Sequence, residues 1–212
     1  LHEVIRLSGI NMIINNNDHP LIIKVASLPA ARMQVYFIDN DDFFRRKSLF
    51  GSESKGENDN DERSIFFAKG IIETVKKLNW SPDLIHIQGW LGALLPLYLQ
   101  TYCKEEPIFQ HTKVITCFLR EPFIGSLDEG ILEKIAFDEI TPDQAPELKE
   151  PNSMNLIKLA SRYSDGVTTL RGTLPEEAIS YITSLGKPFL CEENIETTCK
   201  SYPQFYKEVM GK

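Results

Sequence analysis

The sequence predicts an α/β fold built on a doubly wound, Rossmann-like parallel sheet, and three observations carry that expectation. Asp83-Leu84-Ile85-His86-Ile87-Gln88 is a short run of buried-strand type that breaks at Gly89 into an apolar helix. A second apolar run, Lys113 to Phe118, follows, and a strand, helix, strand unit of this kind needs a right-handed crossover between parallel strands. From Asp61 onward strands alternate with helices, which selects a parallel core.

Each element has its own signature. Glu3 to Leu7, Met12 to Ile14, Leu21 to Leu28 and Gln34 to Ile38 are short β-type runs. Asn15-Asn16-Asn17-Asp18-His19-Pro20 between two of them is a turn signal, so the first strands form a hairpin-like excursion. Lys47 to Asn60 is polar and without periodicity and reads as a mobile loop. Asp61 to Leu78 turns helical, with Ile65, Ala68, Ile72 and Val75 on one stripe and Phe67, Ile71 and Leu78 beside it. Asp59, followed three residues later by Glu62, has the form of a capping box. Trp90 to Cys103 reads as one helix that Pro96 kinks without ending, because Leu97 and Leu99 continue the apolar pattern. Leu119 to Glu150 is irregular, with weak helix at Glu129 to Phe137. Helices at Asn155 to Tyr163, Pro175 to Leu185 and Tyr202 to Met210 alternate with strands at Gly166 to Leu170 and Pro188 to Cys191.

Composition narrows the class. At 212 residues and 42% hydrophobic, the chain is expected to form one domain over residues 1–212 with a substantial core. A net charge of -7 argues against nucleic acid and anionic membrane as partners, since both need a basic face. Cys103, Cys117, Cys191 and Cys199 show neither CxxC spacing nor a histidine cluster, so neither a zinc site nor a disulfide framework is expected. No apolar run is long enough to span a bilayer, and a reducing cytoplasm is the expected location.

Three collinear segments carry a resemblance. They are Val35-Tyr36-Phe37-Ile38-Asp39-Asn40-Asp41-Asp42-Phe43-Phe44-Arg45-Arg46 with Asp59-Asn60-Asp61-Glu62-Arg63-Ser64-Ile65-Phe66-Phe67, then Pro82 through Leu99, then Asn155 through Leu170. They resemble the VYFVDHPxFFxR and PDNxERFxFF, the PDVVHAHDWHTALVPVYL and the NFLKAGIxYADxVTTVS segments of the N-terminal domain of bacterial glycogen and plant starch synthases. The resemblance implies the N-terminal half of the two-domain glycosyltransferase B fold. It also implies glucosyl transfer from ADP-glucose, as donor substrate rather than cofactor, to an α-1,4-glucan.

The departures fall where the chemistry would be. In the HAHDWH pattern, His86 and Trp90 are kept, while Gln88, Gly89 and Leu91 replace a histidine, an aspartate and a histidine. The histidine-asparagine pair after the next strand is Phe118-Leu119 here. The family's Lys-x-Gly-Gly loop has no counterpart, and none of the segments reaches the nucleotide-binding C-terminal half. Retaining glucosyl transfer gains most of its rate from fixed groups aimed at the sugar and from cations on the departing diphosphate.

The candidate substrate-binding residues are therefore Asp59, His86, Gln88 and Trp90, with no catalytic residue and no metal ligand assigned. Ligands of open α/β sheets bind beyond the carboxyl ends of the strands, which singles out the last three. Gln88 can hydrogen-bond a sugar hydroxyl but cannot titrate. Trp90 reads as a stacking platform or as a core aromatic, and His86 as a ligand contact or a satisfied core histidine. Asp59 matches a cleft carboxylate of the family, or is simply the helix N-cap; Arg63 steers an anion or pairs with Asp59 or Glu62. Asp39, Asp41 and Asp42 lack the spacing of a calcium loop and read as a solvated loop.

The expected function is a synthase N-terminal domain not catalytically complete alone, with an α-glucan, a nucleotide sugar or a separate synthase C-terminal domain as partner. The alternatives are an active glucosyltransferase whose missing parts come from another chain, a glucan-binding scaffold, and an α/β interaction module unrelated to sugar.

Overall fold

Two sheets organise the chain. The computed structural model describes residues 4–46, 59–118 and 125–212. Most of the loop expected at Lys47 to Asn60, and the start of the irregular stretch after Phe118, lie outside the described residues.

β1 (Val4–Ile14), β2 (Asn17–Leu28) and β3 (Met33–Asp39) form an antiparallel meander. Asn15 and Asn16 connect the first two strands, both in the left-handed region at φ 48° and 61°, the turn whose twist matches a hairpin. His19 and Pro20, expected in the turn, are strand residues. Pro20 is tolerated in β2 because pairing with β3 begins only at Ile22. The acidic stretch expected as a loop is also ordered. Asn40 caps the short helix α1 (Asp41–Phe44) by accepting the Phe43 N–H at 3.1 Å, and Asp39 pairs with Lys24 at 2.7 Å.

α2 (Asn60–Leu78) buries Ile65, Ala68, Ile72 and Val75, the predicted stripe. Gly70 lets it approach the meander closely, since a Cβ there would lie 3.0 Å from Ile38 Cγ2. The second sheet is parallel and follows chain order: β4 (Leu84–Gln88), β5 (Lys113–Phe118), β6 (Gly166–Leu170) and β7 (Phe189–Glu192). Its connections carry α3 (Leu95–Gln100), α4 (Ile131–Ala136), α5 (Ser153–Tyr163) and α6 (Glu176–Ser184), and α7 (Ile195–Met210) follows the last strand. Side chains alternate across the sheet. Ile87 and Val114 join the core of α2, α3 and α5, while Ile115 joins Phe205 and Val209 of α7 on the opposite face. The α/β class with a parallel sheet covered on both faces is the one the chain adopts.

Two helices differ from expectation. Trp90–Gly92 is a 3-10 turn, and α3 starts only at Leu95, so Pro96 lies in a first turn, where its missing N–H costs nothing, and causes no kink. α7 begins seven residues before Tyr202, where Asn194 accepts the N–H groups of Glu196 and Thr197 at 3.0 and 3.1 Å. Pro203 interrupts only a bond to the carbonyl of Cys199, an exposed residue that water can satisfy.

A buried polar network ties the layers together. Lys69 of α2 donates to Ile13 O of β1 at 3.1 Å and to Asp138 Oδ1, after α4, at 2.5 Å. Asp138 Oδ2 accepts from the Tyr98 hydroxyl of α3 at 2.7 Å. Lys69 and Asp138 side chains are only 11% and 7% exposed, so each charge depends on the other.

Asp138→Ala is expected to cost about 3–5 kcal/mol, because it leaves a buried ammonium and a buried hydroxyl unpaired. Ile72→Ala should cost about 2–5 kcal/mol through transfer and cavity terms. Gln88→Ala should lie within about 0.5 kcal/mol of the parent, as exposed positions do. Urea denaturation of the three variants checks the ranking. A loss at Gln88 similar to that at Ile72 would contradict the assignment of core and edge.

Candidate functional site

The carboxyl edge of the parallel sheet is built from the ends of β4 and β5. Gly89, at φ 82°, turns the chain after Gln88, and its N–H still bonds Cys117 O at 3.2 Å. This delivers Trp90 to the N-terminal end of α2. Ser64 Oγ, bonded to Leu91 O at 2.9 Å, locks the 3-10 turn onto that helix.

A cationic and aromatic cluster forms there. Arg63, 4% exposed, donates to Asn60 Oδ1 at 2.7 Å, and its guanidinium lies 5.8 Å from the Phe44 ring and 6.0 Å from the Trp90 ring. Asp59 stands at the N-cap position without capping, and no capping box forms. Its carboxylate is instead held by both terminal nitrogens of Arg46, one at 2.6 Å. Glu62, the expected box partner, accepts from Asn15 at 3.0 Å and faces Lys134 at 3.1 Å. Charge-assisted pairs outcompete a backbone cap wherever a guanidinium is in reach. Arg63 itself bonds Asn60 and faces the two rings.

Asp61, the fully buried residue after Asn60, pairs with Lys134 of α4 at 2.6 Å. Burial pushes its carboxyl up from the ordinary value, and the Lys134 ammonium pulls it back only in part.

His86 lies apart, on the opposite side of β4. Its Nδ1 is 2.6 Å from the Tyr206 hydroxyl, and its ring centroid is 5.1 Å from that of Tyr202, both on α7. The Tyr202 hydroxyl also reaches Thr168 Oγ1 at 3.2 Å and Cys117 Sγ at 3.4 Å. Burial holds the imidazole below its usual pKa and pushes the Cys117 thiol up. Cys103 is pushed to about 12, again by burial. By alternation Gln88 shares the face of His86, but it is exposed at the strand end.

The structure thus brings Trp90 and Asp59 to one end of α2, leaves Gln88 exposed at the end of β4 on the face of His86, and seats His86 beneath α7. Sequence reasoning missed Arg46, Tyr202 and Tyr206. The four-residue spacing of the two tyrosines was a legible sign of one shared helix face. Phe118, at the next strand end, is buried against Ala93, Ile157 and Ala160.

A parallel sheet covered on both faces, with polar and aromatic groups gathered at the carboxyl edge, defines an open-sheet α/β protein of the kind that takes its ligand at that edge. Within that class, residues 1–186 match the starch synthase catalytic domain family, and the chain belongs to it. It is 30% identical over 186 residues to a glycogen synthase of Chlorobium limicola, covering 84% of this chain and 36% of that protein. To a glycogen synthase of Chlorobaculum tepidum it is 32% identical over 173 residues, covering 80% and 34%. The chain therefore spans about a third of the length of these relatives. Its fold is similar to the catalytic domain of starch synthase IV from Arabidopsis thaliana, solved with ADP and acarbose. The TM-score is 0.70 at 19% identity, over 94% of this chain and 42% of that one.

The lowered pKa of His86 makes a pH prediction. The unfolded chain takes up this proton first, so its contribution to stability is complete above pH 6.5 and declines as the pH falls below it. The thermal midpoint should drop between pH 7.5 and 5.5, and drop less in His86→Phe. Equal pH dependence in the two proteins would show that His86 is not the group responsible.

Proposed function

We propose that this chain binds the α-glucan side of the glucosyl-transfer reaction at the carboxyl edge of its sheet, and does not transfer glucose by itself. The observation that carries the reading is the chemistry of Gln88. It occupies the exposed end of β4, where an amide can orient a sugar hydroxyl but can neither give up nor take a proton. Trp90 follows it across the Gly89 turn, with its ring on the α2 side of the strand. Asp59 and His86 are taken up by protein partners, one by Arg46 and the other by Tyr206. The Arabidopsis structure carries ADP and acarbose, which makes ADP-glucose the donor to test and a maltooligosaccharide the acceptor.

The purified chain should incorporate no radiolabelled glucose from ADP-glucose or UDP-glucose into glycogen above a blank without protein. Maltopentaose should shift the amide resonances of Gln88 and Trp90 with a dissociation constant in the millimolar range, about 4 kcal/mol of binding. Incorporation by this chain alone, or ADP-glucose binding tighter than maltopentaose, would overturn the reading.

A further inference from the structure

Three exposed apolar side chains lie along one concavity that the proposed function leaves unused. Ile13, Tyr102 and Phe137 are 56%, 43% and 54% exposed, and all three border a hollow of about 440 Å³ at β1, α2 and the turn after α4. Tyr102 and Phe137 also border an open cleft of about 600 Å³, together with Glu105, Glu139 and Gln144. Single apolar residues scattered over a surface need no explanation, whereas a contiguous set lining a concavity marks a place where another molecule sits. The shared residues make the two hollows one groove.

Its floor is fixed. Asp138 is held by Lys69 and Tyr98, and the Tyr102 ring stands 5.9 Å from the Tyr98 ring and 5.9 Å from the Lys69 ammonium. Groups positioned in advance lose little freedom when a partner arrives.

Charge says which partner. Glu73, Glu105, Glu106, Asp138 and Glu139 line the two hollows, and the cation among the lining residues, Lys69, is spent on Asp138. Lys76 is likewise spent on Glu106, at 2.7 Å. Glu105 and Glu139 are exposed, and among the described residues neither carboxylate has an ion-pair partner. Burial, with the charges of Asp138 and Glu73, pushes the Tyr102 hydroxyl above its usual pKa, as a field that favours cations would. An anionic partner is repelled from such a rim. An ammonium or guanidinium gains a carboxylate and the face of a ring at once, and lays its alkyl stem on the apolar wall. A small cation would leave the apolar stretch past Ile13 uncovered; a polypeptide with both apolar and basic side chains covers the whole groove.

We propose that this groove docks a basic, amphipathic segment of a partner protein, with its apolar side chains against Ile13 and Phe137 and its lysines or arginines toward Glu105 and Glu139. The net charge of -7 on the chain draws such a segment in, and the carboxylates set its orientation. The groove lies apart from Gln88, so a docked partner leaves the exposed end of β4 open.

The isotope-labelled chain is titrated with a short amphipathic peptide of leucine and lysine. The amides of Ile13, Tyr102, Phe137 and Glu139 should shift, and affinity should fall as ionic strength rises from about 0.01 to 1 M, over which the screening length shrinks from about 30 to 3 Å. Phe137→Ala, at an exposed position, should weaken binding about tenfold with the thermal midpoint unchanged. Glu105→Gln combined with Glu139→Gln should weaken it too and remove most of the salt dependence. Equal shifts from a peptide with glutamate in place of lysine, or shifts spread over the acidic surface and unchanged by Phe137→Ala, would overturn the proposal. So would groove shifts produced by maltoheptaose and not by the peptide. Shifts of Gln88 and Trp90 with maltopentaose report on the crevice alone, so either reading can fail without the other.

Discussion

The structure depends on a charge that has nowhere else to go. Lys69 sits on the buried side of α2, and an ammonium in that position is tolerated only with an anion in contact and further hydrogen bonds around it. Asp138 supplies the anion, Ile13 a carbonyl, and Tyr98 a donor to the second carboxylate oxygen. Each of these comes from a different part of the chain, so the meander, α2, α3 and the end of α4 are held in one arrangement. α4 is six residues long, too short to persist alone in water, and gains its place from this network and from Lys134. The same network sets the floor of the cleft beside Tyr102.

The polar groups of the candidate crevice divide between two faces of β4. On one, Arg63 gathers Asn60, Phe44 and Trp90 at the end of α2. On the other, Tyr202 and Tyr206 close over His86. Gln88, the last residue of β4, is exposed at the carboxyl edge. The residues that match the synthase family end at 186, before β7 and α7, so the helix over His86 is formed by sequence beyond that match.

Much of the fold was legible because its signals are local. Lys113 to Phe118 and Gly166 to Leu170 are strands at the bounds their apolar runs predict, and α2 buries the stripe read from its periodicity. The misreadings came where a local rule met a tertiary one. Asp59 has the spacing of a cap but lies within reach of Arg46, and a guanidinium pair is the stronger bond. Pro96 reads as a kink inside one long helix, yet it falls in a first turn, where its missing N–H costs nothing. The site was legible only in part. Gln88 and Trp90 are placed by strand and turn signals, whereas the burial of His86 depends on a helix more than a hundred residues later. No short-range pattern reports such a contact.

The grip of Arg46 on Asp59 also separates two properties that are usually linked, the length of a connection and the geometry of what it connects. Residues 47–58 lie between the two partners, and the side chains on either side are already joined, with Arg46 held further by a bond to Asp42 O at 2.9 Å. The pair of Arg46 and Asp59 therefore ties the end of α1 to the start of α2 directly. Chain-closure entropy grows only with the logarithm of length, about 0.6 kcal/mol for each doubling. A side-chain clasp of this kind makes the separation of two chain ends a property of the clasp, where a connection alone would leave it to chain statistics.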